Sequence, residues 1–296
     1  MGDPYILMLV ALAVLAIVDL VVGVSNDAVN FLNSAIGSKA ISVRNIMIIA
    51  SLGVFFGAIT SSGMMEVARK GIFNPNMFMF QDIMFIFMAV MITDILLLDV
   101  FNSLGMPTST TVSIVFELLG AAVCISLIKI SANDAESFSD LWNYINYETA
   151  AKIIFGILLS VVVAFSVGAI VQFSSRLIYS FNFEKRATYI SALFGGFAIT
   201  AITYFIIIKG MKGTPFYKDV KFLIEGNTLG IIAGSFIIWS VISQLLIKIF
   251  KINILKLIIG IGTFSLAMAF SGNDLVNFVG VPIAAWNSYQ AWEISG

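Results

Sequence analysis

Histidine is absent from this 296-residue chain. Its absence removes the commonest general base and the commonest transition-metal ligand. The single cysteine, Cys124, excludes an intramolecular disulfide and, without histidine beside it, argues against a zinc site. Inside an apolar run it reads as a small packing residue. Charge is scarce as well: Asp, Glu, Lys and Arg together make up 11% of the chain, and the formal net charge is -1. The 16 Lys and Arg are scattered between apolar stretches, so there is no basic surface of the kind nucleic acid requires. Hydrophobic residues at 59% and a mean hydropathy of +1.02 complete a composition far from that of an ordinary soluble domain.

What is abundant is apolar sequence long enough to cross a hydrocarbon core, which takes roughly 20 residues of helix. Eight such stretches can be read, at Tyr5–Val24, Asn45–Ser62, Ile83–Phe101, Pro107–Ile128, Thr149–Gln172, Thr188–Ile208, Leu229–Ile247 and Ile254–Phe270. The first lacks a basic leader and contains Asp19, so it reads as a retained helix rather than a signal peptide. The expected fold class is therefore all-α, a polytopic membrane helix bundle. Two connections have size: Lys129–Glu148, with room for a short amphipathic helix through Phe138, Leu141, Trp142 and Ile145, and Lys209–Gly226. Basic residues fall on several loops without clean alternation, which leaves the orientation open.

One string occurs twice. Ser25-Asn26-Asp27-Ala28-Val29-Asn30-Phe31 near the start is echoed by Gly272-Asn273-Asp274-Leu275-Val276-Asn277-Phe278 near the end, 247 residues later, and each copy closes a long apolar run. If the chain is helical there, Asn26, Asn30, Asn33 and Gly37 share a face, as do Asn273, Asn277, Gly280 and Ala284. Gly23, Gly272 and Pro282 are plausible points for the helices to break, and a break would free backbone groups that bound ions can satisfy. Paired polar strings at the ends of spans are how transporters with internal repeats build a central site.

A third element is Gly105-Met106-Pro107-Thr108-Ser109-Thr110-Thr111, followed by an apolar run. Proline suits the first turn of a helix. The N–H groups of that turn, with the hydroxyls of Thr108, Ser109, Thr110 and Thr111, make a neutral donor cluster suited to an oxyanion. Six acids lie within or against the spans: Asp19, Asp27, Asp94, Asp99, Glu117 and Asp274. At roughly 2.5 to 3.5 kcal/mol each, six bare carboxylates would cost on the order of 15 to 20 kcal/mol, more than the ~5 to 15 kcal/mol net stability of a domain. For Asp27 and Asp274 the expected answer is a cation held between carboxylate, amide and carbonyl oxygens. An anion site without Arg or Lys needs bound positive charge beside it, so anion and cation bind interdependently, which is the thermodynamic basis of symport.

These residues resemble the inorganic phosphate transporter (PiT) family, whose repeats each carry a Gly-x-Asn-Asp-x-x-Asn and a Pro-x-Ser-Thr-Thr string. Asn26-Asp27 through Asn30, Ile36-Gly37-Ser38-Lys39-Ala40 and Pro107-Thr108-Ser109-Thr110-Thr111 match the first copy, and Gly272 through Asn277 resembles the second. The resemblance implies inverted repeats with broken or re-entrant helices and a secondary symporter, not an enzyme, in the plasma membrane. It also implies sodium- or proton-coupled phosphate uptake and a possible homodimer. It places phosphate near Ser109, Thr110, Thr111, Asn30 and Asn277, and the cation at Asp27 and Asp274 with Asn26 and Asn273; no other cofactor or metal is implied. Val112 stands where the family often has histidine, and Glu117 where a small residue is expected. A second Pro-x-Ser-Thr-Thr string would fall beyond Gly296, so the chain reads as an N-terminal fragment: residues 1–128 as a first repeat, 129–228 as connecting segments and 229–296 as the start of a second.

Other readings remain open at this point. Neutral donors beside cations would also accept sulfate or another oxyanion. From a different class, an intramembrane aspartyl enzyme could use Asp94 and Asp99, although five residues of straight helix set them about 140° apart, a poor arrangement for a shared-proton dyad.

Overall fold

The computed structural model describes residues 4–60, 71–179, 188–207, 221–222 and 226–295, with the backbone alone at 60, 273–276 and 295. Among these residues every regular element is helical: α1 (Pro4–Ser38), α2 (Val43–Thr60), α3 (Phe80–Leu104), α4 (Thr110–Ala132), α5 (Leu141–Tyr144), α6 (Tyr147–Tyr179), α7 (Thr188–Phe205), α8 (Thr228–Lys248) and α9 (Ile254–Ser295). Pro107–Ser109 precede α4 and residues 61–62 and 208 lie outside the described residues, but each of the eight apolar stretches has its main part in one of these helices. Seven are long and apolar enough to cross a membrane, and the apolar part of α2 is shorter. In lipid the backbone must satisfy its own hydrogen bonds, which a helix does within a single segment. The chain is a multi-pass membrane protein. Its exposed apolar side chains, such as Val14, Ile17 and Val21 on α1 and Leu158, Val162 and Phe165 on α6, suit contact with lipid.

The expected helix breaks do not occur. Gly23 lies inside α1, which runs for 35 residues, and Gly272 and Pro282 lie inside the 42-residue α9. At 1.5 Å per residue α1 is about 50 Å long, well beyond a hydrocarbon core of about 30 Å. Continuity keeps backbone groups paired, and Pro282 removes only one such bond. Pro107 also departs from expectation. It sits in the segment ahead of α4, whose N-cap is Ser109 in extended conformation. The connection after α4 holds a 3-10 turn (Phe138–Asp140) and the four-residue α5, and the expected apolar face is not formed: Ile145 is buried with Tyr144, but Phe138 and Trp142 are exposed, because so short a helix cannot turn all four side chains to one side. Most of Lys209–Gly226 lies outside the described residues.

The chain divides into two compact units. The first comprises Met1–Asn30, Met64–Leu159 and Asn273–Gly296. Its core packs Leu12 of α1 with Met84, Val90 and Met91 of α3, Leu118 and Ala122 of α4, and Val281 and Ala285 of α9. Direction follows from the contacts. Tyr5 at the start of α1 meets Phe80 at the start of α3 and Trp292 near the end of α9, so α1 and α3 run parallel and α9 antiparallel. Lys129, late in α4, pairs with Asp82, early in α3, at 2.6 Å, which makes α4 antiparallel too. This aromatic cluster, with Phe80 and Trp292 rings stacked at 5.0 Å, occupies one end of the unit, where Trp and Tyr favour the membrane–water boundary.

The second unit comprises Phe31–Gly63 and Ser160–Gly272. Small residues let helices touch there. A side chain on Gly53 or Gly57 of α2 would overlap the backbone of α9 at Phe264 and Met268, and one on Gly195 or Gly196 of α7 would overlap Ser243 and Ser240 of α8. Ser271 closes the α2–α9 contact by donating to the Val54 carbonyl at 2.7 Å. Without a hydrophobic drive between helices in lipid, such close backbone approach is a main source of association. Gly57→Val should therefore destabilise the protein by about 1 to 3 kcal/mol or more, read as a lowered midpoint of thermal unfolding in detergent. Gly37→Ala, at a site with no atom within 4 Å, should leave that midpoint unchanged or slightly raised.

Candidate functional site

All the site residues with described side chains belong to the first unit. On α1 the buried positions Leu12, Ala16, Asp19, Gly23 and Asn26 follow one another at steps of four, three, four and three, a single helical face. Gly23 has a packing role rather than a hinge role: a Cβ there would overlap the ring of Phe278, which lies against the bare backbone. That contact places the second Asn-Asp string beside the first.

Asn26 is 4% exposed and acts as a clamp. Its Nδ2 donates to Asn102 Oδ1 at 2.9 Å and to the Met106 carbonyl at 3.2 Å, and its Oδ1 accepts the Thr108 N–H at 2.8 Å. Both amide protons are used, and one lone pair of Oδ1 remains. Asn102 completes the clamp by donating from Nδ2 to the Val22 carbonyl at 3.0 Å. The loop held in this way begins at Gly105, whose φ of 67° is the left-handed conformation that ends α3 and that glycine adopts without strain. Gly105 N–H bonds the Asn102 carbonyl and Met106 N–H the Phe101 carbonyl, which turns the chain away from the helix.

From there Met106 to Ser109 leads into α4. Ser109 Oγ accepts the Val112 N–H at 3.4 Å and its carbonyl accepts the Ser113 N–H at 3.0 Å. Among the described residues no hydrogen bond engages the N–H of Ser109 or Thr110, so donors remain at this helix start, where the helix dipole also favours negative charge. From α9, Asn277 Nδ2 donates to Thr111 Oγ1 at 2.9 Å. The hydroxyl-rich segment thus receives an amide from each Asn-Asp string.

The other expected positions divide. Asp27 is 5% exposed and Thr110 1%, whereas Ser109 and Asn30 are exposed. Asn30 makes no hydrogen bond to the 108–111 segment among the described residues, and Asn33 and Gly37, further along the supposed polar stripe, are exposed as well. Asn273 and Asp274 lie within α9, but their side chains fall outside the described residues. Asp94 and Asp99 form no dyad: Asp94 is fully buried and faces Ser113 at 2.6 Å, while Asp99 is exposed, as the helical angle between them dictates. Cys124 is exposed on α4 rather than packed inside. Asn102 escaped the sequence reading. The available signal was an amide closing an apolar run one turn ahead of the Gly105 turn, but at a span end water could equally have satisfied it.

The fold and the site define a multi-pass helical membrane protein in which amide side chains from two helices meet a hydroxyl-rich helix start. Comparison with known proteins gives the family. The profile described as the phosphate transporter family matches residues 23–296, and the chain belongs to that family. It is 26% identical over 288 residues to a Pyrococcus furiosus protein that carries the name phosphate permease, covering 92% of this chain and 64% of that relative. It is also 26% identical over 154 residues to a Bacillus subtilis protein named as a low-affinity inorganic phosphate transporter, covering 52% of this chain and 41% of the relative. A solved structure described as a sodium-dependent phosphate transporter superposes with a TM-score of 0.68 at 21% identity, covering 96% of this chain and 68% of that one, which shows a shared fold. The chain spans 64% of the length of the Pyrococcus furiosus relative.

Proposed function

We propose that this chain moves inorganic phosphate across the plasma membrane by symport with sodium or protons, as a secondary transporter and not an enzyme. The observation that carries the reading is the convergence of Asn26 and Asn277 on the segment from Thr108 to Thr111, by hydrogen bonds of 2.8 and 2.9 Å. Two like strings far apart in sequence serve one cluster of neutral donors, with the buried acid Asp27 next to Asn26. Phosphate is bound by the hydroxyls of Ser109, Thr110 and Thr111 and the N–H groups at the start of α4, with Asn277 and Asn30 completing its shell. The coupling cation sits at Asp27 and Asp274, with carbonyl oxygens of Asn26 and Asn273 as further ligands.

The remaining lone pair of Asn26 Oδ1 suits that role, and hard oxygen donors suit an alkali ion. In this reading anion binding relies on the bound cation for its positive charge. Residues 1–128 and 229–296 serve as parts of two repeats in this reading. Support comes from the pairing of Gly23 with Phe278 and of Phe31 with Phe270, whose ring centroids lie 5.7 Å apart. At the 247-residue offset these are the same two positions with their roles exchanged. Assembly as a homodimer completes the proposal.

The test is uptake of labelled phosphate into liposomes containing the purified chain under imposed gradients. Accumulation should require an inward sodium or proton gradient, and accumulation unaltered by collapse of both would overturn symport. Excess sulfate that competes as well as unlabelled phosphate would overturn the choice of phosphate as the solute. Ser109→Ala should weaken apparent phosphate affinity about tenfold, the equivalent of one lost hydrogen bond of about 1.4 kcal/mol to a charged group. It should also cost about 1 kcal/mol in stability as a lost N-cap. Lost stability with unchanged affinity would leave Ser109 as a cap alone.

A further inference from the structure

One group of polar residues in the first unit has no part in the phosphate site. Asp19 of α1, Asp94 of α3, and Ser113 and Glu117 of α4 meet in the interior, with Asp19 and Asp94 at 0% exposure. Ser113 Oγ lies 2.6 Å from Asp94 Oδ1 and 2.7 Å from Glu117 Oε1. The buried Asp19 and Asp94 carboxyls are near enough to interact electrostatically.

Counting protons across these contacts is informative. A serine hydroxyl carries one hydrogen and can donate it to one partner only. Both oxygen–oxygen distances are hydrogen-bond lengths, and two oxygens do not approach that closely in an apolar interior without a proton between them. If Ser113 donates to Asp94, the proton on the other contact belongs to Glu117, and if it donates to Glu117, that proton belongs to Asp94. Supply within the protein is lacking. Among the described residues no group donates to Asp19 Oδ1 or Oδ2, to Asp94 Oδ2 or to Glu117 Oε2, although all four are buried. The described ion pairs, Lys129 with Asp82 and Lys152 with Glu148, involve none of these acids.

The titratable groups facing one another from the packed helices are thus Asp19, Asp94 and Glu117, all acids. They form a chain rather than a cage: among the described residues no three acidic groups converge in a way that could hold a metal ion. One end of the chain is accessible. Ser113 and Glu117, with Thr93 and Thr108, line a groove of about 480 Å³ between α3 and α4, while Asp19 at the far end is sealed.

We propose that Asp19, Asp94, Ser113 and Glu117 form a proton-binding site, loaded from the groove at Glu117 and separate from the Asn26–Thr108 clamp. A proton arriving on Glu117 passes to Ser113 Oγ as the serine's own proton moves to Asp94 Oδ1, and Asp94 exchanges in turn with Asp19. No bond other than O–H forms or breaks. Asp19 lies seven residues from Asn26 on the same face of α1, about 10 Å along the axis, and Asp94 lies two turns before Asn102 on α3. The carboxyl layer and the amide layer are therefore stacked on the same helices, which gives proton loading a mechanical route to the clamp. The assignment does not depend on which solute is carried.

Infrared difference spectra of the whole chain in lipid nanodiscs test it. Stepping the pH from neutral to alkaline should remove a C=O stretching band of protonated carboxyl that shifts in D2O. That band should be reduced or lost in Asp94→Asn and Glu117→Gln. Absence of such a band at neutral pH, or an identical band in both variants, would overturn the proposal. Sodium chloride that removes the band at constant pH, where choline chloride does not, would also overturn it and assign the cluster to sodium. Should the acid variants fail to fold, Ser113→Ala removes one hydroxyl without changing charge. It must shift the band by altering its hydrogen bond, and an unshifted band counts against the site.

Discussion

Asn26→Leu is expected to abolish phosphate uptake and to lower stability by about 3 to 6 kcal/mol, the largest effect of any single substitution proposed for this protein. Leucine repeats the branched outline of asparagine without any polar atom, so the substitution removes every hydrogen bond of the clamp residue. Three partners are stranded: the Thr108 N–H, the Met106 carbonyl and the Asn102 side chain. Each buried group left unpaired costs about 1 to 3 kcal/mol. Release of Thr108 frees the segment that carries Ser109, Thr110 and Thr111, so binding geometry is lost along with stability. Calorimetric unfolding in detergent and initial uptake rates in liposomes report the two effects. Asn102→Leu should reproduce part of both. Because Asn26 and Asn102 share one hydrogen-bond network, the double variant should be less impaired than the two single effects added together. Additive losses, or an Asn26→Leu protein with normal uptake, would show that the clamp does not hold the site.

Asp27→Asn is expected to act on coupling rather than folding. The change keeps shape and removes charge from a residue that is 5% exposed. Taking an ionised carboxylate out of a membrane interior removes a cost of roughly 2.5 to 3.5 kcal/mol on insertion scales, and asparagine keeps an oxygen acceptor in place, so folding should be affected less than coupling. With Asp27 as the proposed cation ligand, the concentration of coupling cation needed for half-maximal uptake should rise at least tenfold, the equivalent of 1.4 kcal/mol. Phosphate affinity should fall with it at low cation and recover in part at high cation, since the two ligands are linked reciprocally. Uptake measured against sodium at constant pH, and against pH at constant sodium, identifies the cation. Unchanged dependence on both would remove Asp27 from the coupling site, and failure of the protein to accumulate in membranes would assign it a structural role.

Much of this molecule is local in origin and could be read without coordinates. The eight apolar stretches became helices because the hydrocarbon core leaves a continuous backbone no better way to pair its own groups. The Asn-Asp strings and the Thr-Ser-Thr-Thr segment stood out because donors and acids are costly in such surroundings. Their spacing at three and four residues already put Asn26 on a definable helical face. Ser109 as a helix cap follows from the same local chemistry.

The meetings between helices were settled only by packing in three dimensions. Asn26 finds Asn102 across 76 residues of sequence, and Asp94 finds Ser113 across 19. No periodicity within a single helix selects such partners, because which face meets which depends on the side chains of both helices at once. Asp94 and Asp99 were natural companions by sequence distance, yet the helical angle sends Asp99 outward and Asp94 inward to Asp19 and Glu117. Gly23 illustrates the same limit. In sequence it offers flexibility, and in the fold it supplies room for the Phe278 ring. Local physics sets what each segment is, and only mutual fit of the segments sets which polar groups share a proton, an amide or an ion.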